Sequence, residues 1–303
     1  MLSSSFCEEF EILEQVGSGA FSKVYKTRER ATQQMFAAKV ITAVEERSAD
    51  EVEIAGFVDH TNLLRTVRVF SESDTVVLVS ELLQQGEVFE LVRMGRGVAE
   101  CDARNLVQQL LQGIAYMHCE GIAHCDIKLE NLMLDQGTLK IIDFGFSRTV
   151  GSQRCLRSAC GSPNYMAPEI LLSSRSTQAG ALPSRHTGYG KEVDVWAAGV
   201  VMYVLLFGQY PFHHERRSER HRRIVRAEYS IPADGTLSAL GQTVLSKLLD
   251  PNPQTRPAAK DLLQLEWFAT SSNLESKCLA ARGQAASEGG LENAATSRTL
   301  AEQ

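Results

Sequence analysis

Residues 124–131, "HCDIKLEN", place a carboxylate (Asp126), an ammonium (Lys128) and a carboxamide (Asn131) directly ahead of the apolar run Leu132-Met133-Leu134. A general base, a counter-charge for an anion and a metal ligand would use those three groups at that spacing. A polar loop would also accommodate them, so the surrounding sequence has to decide. Downstream, "IIDFGFS" sets Asp143 at the end of an apolar strand and before a glycine, a position suited to holding Mg²⁺, with Asn131 able to share a second ion.

Upstream, the first third alternates as strands: "FEILEQVGSGAFSKVYKTRE", "QMFAAKVIT" and "DTVVLVSEL" are β-like runs punctuated by glycine. Between them "SADEVEIAGFVDH" reads as a helix, with Glu51, Ile54, Ala55 and Val58 on one face. From Val88 onward helices dominate. "DARNLVQQLLQGIAYMHCEG" carries helical periodicity with Gly121 as its stop, and "VDVWAAGVVMYVLLFG" is apolar on nearly all sides, as a core helix is. The expected fold is therefore α+β and two-lobed, with a small β-rich lobe over about 10–80 and a larger mainly helical lobe over about 86–268. "SSRSTQAGALPSRHTG" (173–188) reads as a loop insertion, and 269–303, rich in Ser, Ala, Gly and Glu, as a disordered tail.

Composition narrows the class. With 44% hydrophobic and 22% charged residues the chain is that of a soluble globular protein, and a net charge of −6 gives no sign of bulk nucleic-acid binding. No apolar run reaches the length of a membrane span, and the N-terminus lacks a basic-then-apolar signal pattern. Seven scattered cysteines without metal spacing suggest a reducing interior, so the expected location is cytoplasmic, with the nucleus as a second compartment. There are no internal repeats and no calcium loop.

"GSGAFSKV" puts Gly17, Ser18 and Gly19 in a strand-turn-strand context, where backbone N–H groups can approach phosphates; a plain hairpin turn fits equally well. Lys39 ends the strand "FAAK". An acid on the apolar face of the next helix needs a partner, which makes Lys39–Glu51 a natural ion pair. The alternative is that "SADE" (48–51) is a capping box, with Glu51 capping the helix instead.

Taken in order, GSGAFS, AAK, HCDIKLEN, DFG and APE (167–169) resemble the motifs of the eukaryotic protein kinases over roughly Phe10–Phe268. The resemblance implies an enzyme that uses ATP and Mg²⁺ to phosphorylate protein substrates. Asp126 would orient the substrate hydroxyl or accept its proton, Lys128 would neutralise the transferring phosphoryl group, and Asn131 and Asp143 would hold the metals. Gly17, Ser18 and Gly19 would cover the phosphates and Lys39, braced by Glu51, would contact them. Val24, Ala37 and Met133 would sandwich adenine, Glu81 and Leu83 would bond it through their backbone, Ser80 would close the back of its pocket, and Glu87 would reach the ribose. Lys128 within "DIKLEN" is the serine/threonine signature.

"DIKLENLMLD", "CGSPNYMAPEILL" and "VDVWAAGVVMYVLLFGQYPF" are similar to the calcium/calmodulin-dependent kinase group and its AMP-activated relatives. By that resemblance Glu87 and Glu130 receive basic substrate residues upstream of the target, and Phe146 favours serine over threonine. Glu169 and Arg256 resemble a structural salt bridge, and Asp194 the residue that braces the catalytic loop.

Four departures stand out. Cys125 occupies the place of an arginine that grips a phosphate on the activation segment, where Ser158 matches the usual target of an upstream kinase; a thiol cannot pair bidentately with phosphate. Ser22 replaces a third glycine. The Lys39–Glu51 interval is short, which predicts a helix lacking about its first turn. Ser80 is small where the family has a bulky residue. Together, Cys125, Ser22 and the short helix leave a catalytically weak kinase-shaped scaffold as the alternative function. "HHERRSERHRR" (213–223) is expected on a surface helix, as a solvated face or as a dock for an acidic partner.

Overall fold

The computed structural model describes residues 4–19, 22–42, 46–72, 74–92, 96–150, 162–178, 189–233 and 235–269. Its N-terminal lobe runs α1 (Ser4–Glu9), β1 (Phe10–Ser18), β2 (Ser22–Glu29), β3 (Met35–Thr42), α2 (Glu46–Phe57), β4 (Thr66–Glu72) and β5 (Thr75–Glu81). The strands form one antiparallel sheet in the order β1-β2-β3-β5-β4.

Cross-strand partners share a face, so the register sorts the side chains into two sets. Val24 opposes Lys39, Lys39 opposes Leu78, and Ala37 opposes Ser80, which puts all five on one face. The opposite face buries Phe36, Ala38, Val40, Val77 and Val79 under Phe6, Phe10 and Phe70. There Phe6 stacks on Phe10 with ring centroids 5.5 Å apart and meets Phe70 edge-on. One side of the sheet is thus sealed by aromatics, leaving the Lys39 side to face α2 and the second lobe.

The C-terminal lobe comprises α3 (Glu100–Cys119), β6 (Ile122–Ala123), β7 (Leu132–Asp135), β8 (Thr138–Ile141), β9 (Arg148–Thr149), α4 (Pro168–Gln178), α5 (Glu192–Phe207), α6 (Arg217–Arg226), α7 (Ala239–Leu248), α8 (Ala259–Leu262) and α9 (Glu266–Ala269). Every residue of α5 from Val193 to Phe207 is buried, as its all-round apolar sequence requires. It stops at Gly208, whose φ of +66° suits a residue with no Cβ. The stretch leading into β4 is pinned to the larger lobe: Ile141 N–H donates to Asn62 O at 2.8 Å, and Asn62 Nδ2 donates to Leu139 O at 3.0 Å.

Two expectations change. The helix expected from Ser48 begins at Glu46, so Ser48 lies within α2 and cannot be its N-cap. The loop expected from Ser173 begins later, because α4 continues to Gln178. Pro168 opens that helix, where its missing N–H costs nothing, and Ser173 Oγ donates back to Glu169 O at 2.7 Å. Residues 179–188, the tail from 270 and Ser158 lie outside the described residues.

Glu169 and Arg256 pair as expected. Arg256 Nη1 and Nη2 sit 2.7 and 3.1 Å from the two Glu169 oxygens, while Nε donates to Asp250 O and Nη1 also to Glu192 O. The guanidinium lies 5.3 Å from the Trp196 ring centre and its side chain is fully buried. Removing one partner leaves the other charge stranded, so Arg256→Leu should lower stability by about 3–5 kcal/mol. Urea unfolding would show this as a reduced midpoint; an unchanged midpoint would mean that the pair is not what joins α4 to the segment before α8.

Candidate active site

Three separate elements meet at Lys39. Its Nζ lies 2.6 Å from Glu51 Oε1 on α2 and 2.6 Å from Asp143 Oδ1 just after β8. The choice between ion pair and capping box is settled for the ion pair, because α2 starts a full turn before Glu51. Burial alone would depress the Lys39 pKa, but the charges of Asp143 and Glu51 outweigh it and hold the ammonium above its ordinary value. Burial likewise pushes the Asp143 carboxyl up, and Lys39 more than reverses it, so Asp143 stays below the usual carboxylate range. The packing is tight at Gly145, where a Cβ would come within 3.3 Å of both Asp143 Oδ1 and Glu51 Oε2 and press on those side-chain ends. Asp143 itself has φ +65°, a left-handed conformation that an L-residue adopts only when its surroundings hold it there.

The catalytic-loop stretch is fixed from below. Buried Asp194, in the first turn of α5, accepts from His124 N at 2.8 Å and Cys125 N at 2.8 Å, and its Oδ2 is 2.9 Å from His118 Nε2. This grip accompanies the left-handed Cys125 (φ +66°) that turns the chain towards Asp126. Asp126 is nearly buried. Its Oδ2 lies 2.7 Å from Lys128 Nζ and accepts from Asn131 Nδ2 at 3.1 Å; its Oδ1 accepts from Ser162 N at 3.2 Å. Asn131 Nδ2 also donates to Asp126 O at 2.9 Å. Desolvation holds the pKa of the fully buried His124 below its ordinary value, against the raising charges of Asp194, Asp126 and Asp143.

The Asn131 amide nitrogen is therefore committed to Asp126, which leaves its carbonyl oxygen as the end able to meet a cation. With an Asp143 oxygen this is a hard, all-oxygen donor set, of the kind Mg²⁺ completes with ligand phosphates and water. Among the described residues no cluster of three or more His, Cys, Asp or Glu forms a self-sufficient metal cage. The residues thus fit an ion that arrives with a phosphorylated ligand.

Around this centre, Gly17 pairs with Val24 at the mouth of the β1–β2 hairpin, and Gly19 N donates to Ser22 O at 2.8 Å. Ser18 ends β1. Val24, Ala37 and Ser80 share the Lys39 face, and Met133 bridges to Glu87. The Glu81 carboxylate is occupied elsewhere, accepting from Lys140 Nζ at 2.8 Å and Arg65 N at 2.9 Å. It anchors the interlobe link, which continues through Leu83 to the Gln84 N contact with Asp135. Glu87 lies near Glu90 and Glu130; partial desolvation first, then those two charges, raises its carboxyl above the ordinary range. Sequence reading missed His118, Ser162, Lys140 and the pair Arg148–Asp50. Each is a single residue distant from its partner, and no local pattern marks it.

The chain matches the protein kinase domain family over residues 10–268, and it belongs to that family. A probable myosin light chain kinase of Dictyostelium discoideum is 33% identical over 275 residues, covering 88% of this chain and 85% of that protein. CBL-interacting protein kinase 26 of Oryza sativa subsp. japonica is 34% identical over 278 residues, 88% of this chain but 53% of the relative. CBL-interacting serine/threonine-protein kinase 9 of Arabidopsis thaliana is 33% identical over 271 residues, again 86% of this chain and 57% of the relative. The chain thus spans little more than half the length of these two plant proteins. The fold is the α+β kinase architecture, and the chain carries an ATP-dependent serine/threonine protein kinase domain.

Ser80 is buried at the inner end of β5, opposite Ala37. ATP competitors with a bulky group directed behind the adenine should inhibit the wild type, and Ser80→Met should weaken them by about tenfold or more. Equal potency against both would place the closing residue elsewhere.

Proposed function

We propose that this domain transfers the γ-phosphoryl group of Mg-ATP to serine hydroxyls in protein segments carrying basic residues upstream of the target. The observation that carries the reading is the assembled Glu51–Lys39–Asp143 lattice above an Asp126 oriented by Lys128, Asn131 and Ser162. Lys39 draws the α- and β-phosphates into line, and the substrate hydroxyl approaches with its proton directed at Asp126. Lys128 lies beside that carboxylate, where it also faces the charge on the transferring group. Asn131 and Asp143 would hold Mg²⁺, which supplies charge neutralisation of the phosphates when bound. Val24, Ala37 and Met133 enclose adenine, Glu81 and Leu83 offer it backbone groups, and Glu87 faces the ribose edge. A scaffold without activity would have no need for this set of oriented charges.

The substrate preference follows from Glu87, Glu90 and Glu130. Three carboxylates close enough to raise a pKa repel one another until a cation arrives. A peptide arginine supplies that cation. Since the Glu87 carboxyl lies above the ordinary range, it protonates earlier as pH falls from neutrality, and its hold on arginine fades with it. KM for an arginine-bearing serine peptide should rise on acidification, and Glu87→Gln should raise KM at pH 7 and flatten that dependence. A peptide array showing no preference for upstream arginine would rule out the basophilic reading while leaving the kinase intact.

Cys125 offers no guanidinium for a phosphorylated activation segment, so activity should not depend on an upstream kinase acting at Ser158. Ser158→Ala should retain at least about half of the wild-type kcat, whereas near-complete loss would show that the phosphate is read by other residues.

A further inference from the structure

The geometry points to Asp50 and Arg148 as a positioning pair that locks α2 in its productive rotation without a modified activation segment. Arg148 Nε on β9 lies 3.4 Å from Asp50 Oδ2, one residue before Glu51. Arg148 is itself tied to the start of the catalytic loop: its backbone pairs with Ala123 of β6, and the neighbouring Ser147 Oγ donates to His124 O at 3.4 Å. Val150 N donates to Gly121 O at 2.7 Å, closing the other end of that short ladder.

The need for such a pair follows from how α2 is held. Its C-terminal end is fixed, since Asp59 N donates to Tyr116 OH at 3.1 Å, His60 stacks on the Tyr116 ring, and Asn62 bonds β8. Ile54, Ala55 and Val58 also bury its apolar face, but these contacts lie in or just after its C-terminal half and leave the first turns able to swing. Glu51 must nonetheless keep its carboxylate 2.6 Å from Lys39. Successive residues project about 100° apart around a helix, so Asp50 and Glu51 grip two different directions. Glu51 faces the sheet, and Asp50 reaches β9 on the larger lobe. Both contacts at once define a single rotation. The Asp50 carboxylate thus gives β9 a permanent anion, present as soon as the chain folds, and a neutral residue at Cys125 is then no handicap.

The pair is part-exposed, with Asp50 at 46% and Arg148 at 21%, so its contribution is modest and sensitive to salt. Arg148→Gln and Asp50→Asn should each lower kcat about two- to fivefold, speed amide hydrogen exchange in the first turns of α2, and leave the melting temperature nearly unchanged. The double variant should be no worse than either single one, and the swap Asp50→Arg with Arg148→Asp should restore both kcat and exchange protection. Additive losses, or a swap that restores neither readout, would overturn the proposal. The exchange measurement needs no substrate, so it stands apart from whether upstream arginine is preferred or any peptide is turned over.

Discussion

A lysine ammonium caught between two carboxylates from different parts of the chain is the constraint on which the rest of the molecule depends. Lys39 belongs to β3, Glu51 to α2 and Asp143 to the segment after β8, and none can reach the others unless sheet, helix and second lobe are all in place. Burial makes an unpaired charge costly here, and the pairing outweighs it: the Lys39 ammonium lies above its ordinary pKa and the Asp143 carboxyl below its own. Under the proposed function the same arrangement supplies a cation for phosphates, an acid for a metal, and a second acid that fixes the cation. Gly145 favours the arrangement, since a Cβ there would crowd both carboxylates at 3.3 Å.

The catalytic loop is held by an analogous device one layer deeper. Asp194 sits at the start of an α5 buried throughout, and it takes two backbone N–H groups of the loop on its two oxygens. Burial on its own would push its carboxyl up, yet the His118 hydrogen bond and charge and the His124 contact bring it below the ordinary range. A buried anion so satisfied is rigid, and it passes that rigidity to Asp126 through the left-handed turn at Cys125. Strain at Cys125 and at Asp143, both with positive φ, lies where the reacting groups emerge.

Much of this was legible in the residues alone. Glu51 on an apolar face called for a cation and Lys39 supplied it, while the spacing of Asp126, Lys128 and Asn131 also fitted a polar loop and took its meaning only from the other motifs along the chain. What escaped did so for physical reasons. β4 carries Val67 and Val69 towards solvent and Phe70 inward, because it is the sheet's edge and slips register at Thr66, so its apolar residues mark no buried face. α1 is six residues long, too short for a periodic signal, and is held by Phe6 packing on Phe10 and Phe70. Helix α4 runs to Gln178 into a Ser/Thr-rich stretch that local propensity would leave as loop. The His118–Asp194 and Arg148–Asp50 contacts join residues about eighty and a hundred positions apart, and only the folded chain brings them together.

The most direct test is phosphoryl transfer from labelled Mg-ATP to a serine peptide by the phosphatase-treated chain, beside Lys39→Met and Asp126→Asn, with nucleotide binding followed in parallel. The account predicts transfer by the phosphatase-treated wild-type chain and a loss of about a thousandfold or more in both variants, with nucleotide binding retained by Asp126→Asn. Nucleotide binding by the wild type with no transfer above the variants would contradict it, and would mean that these charges serve a scaffold.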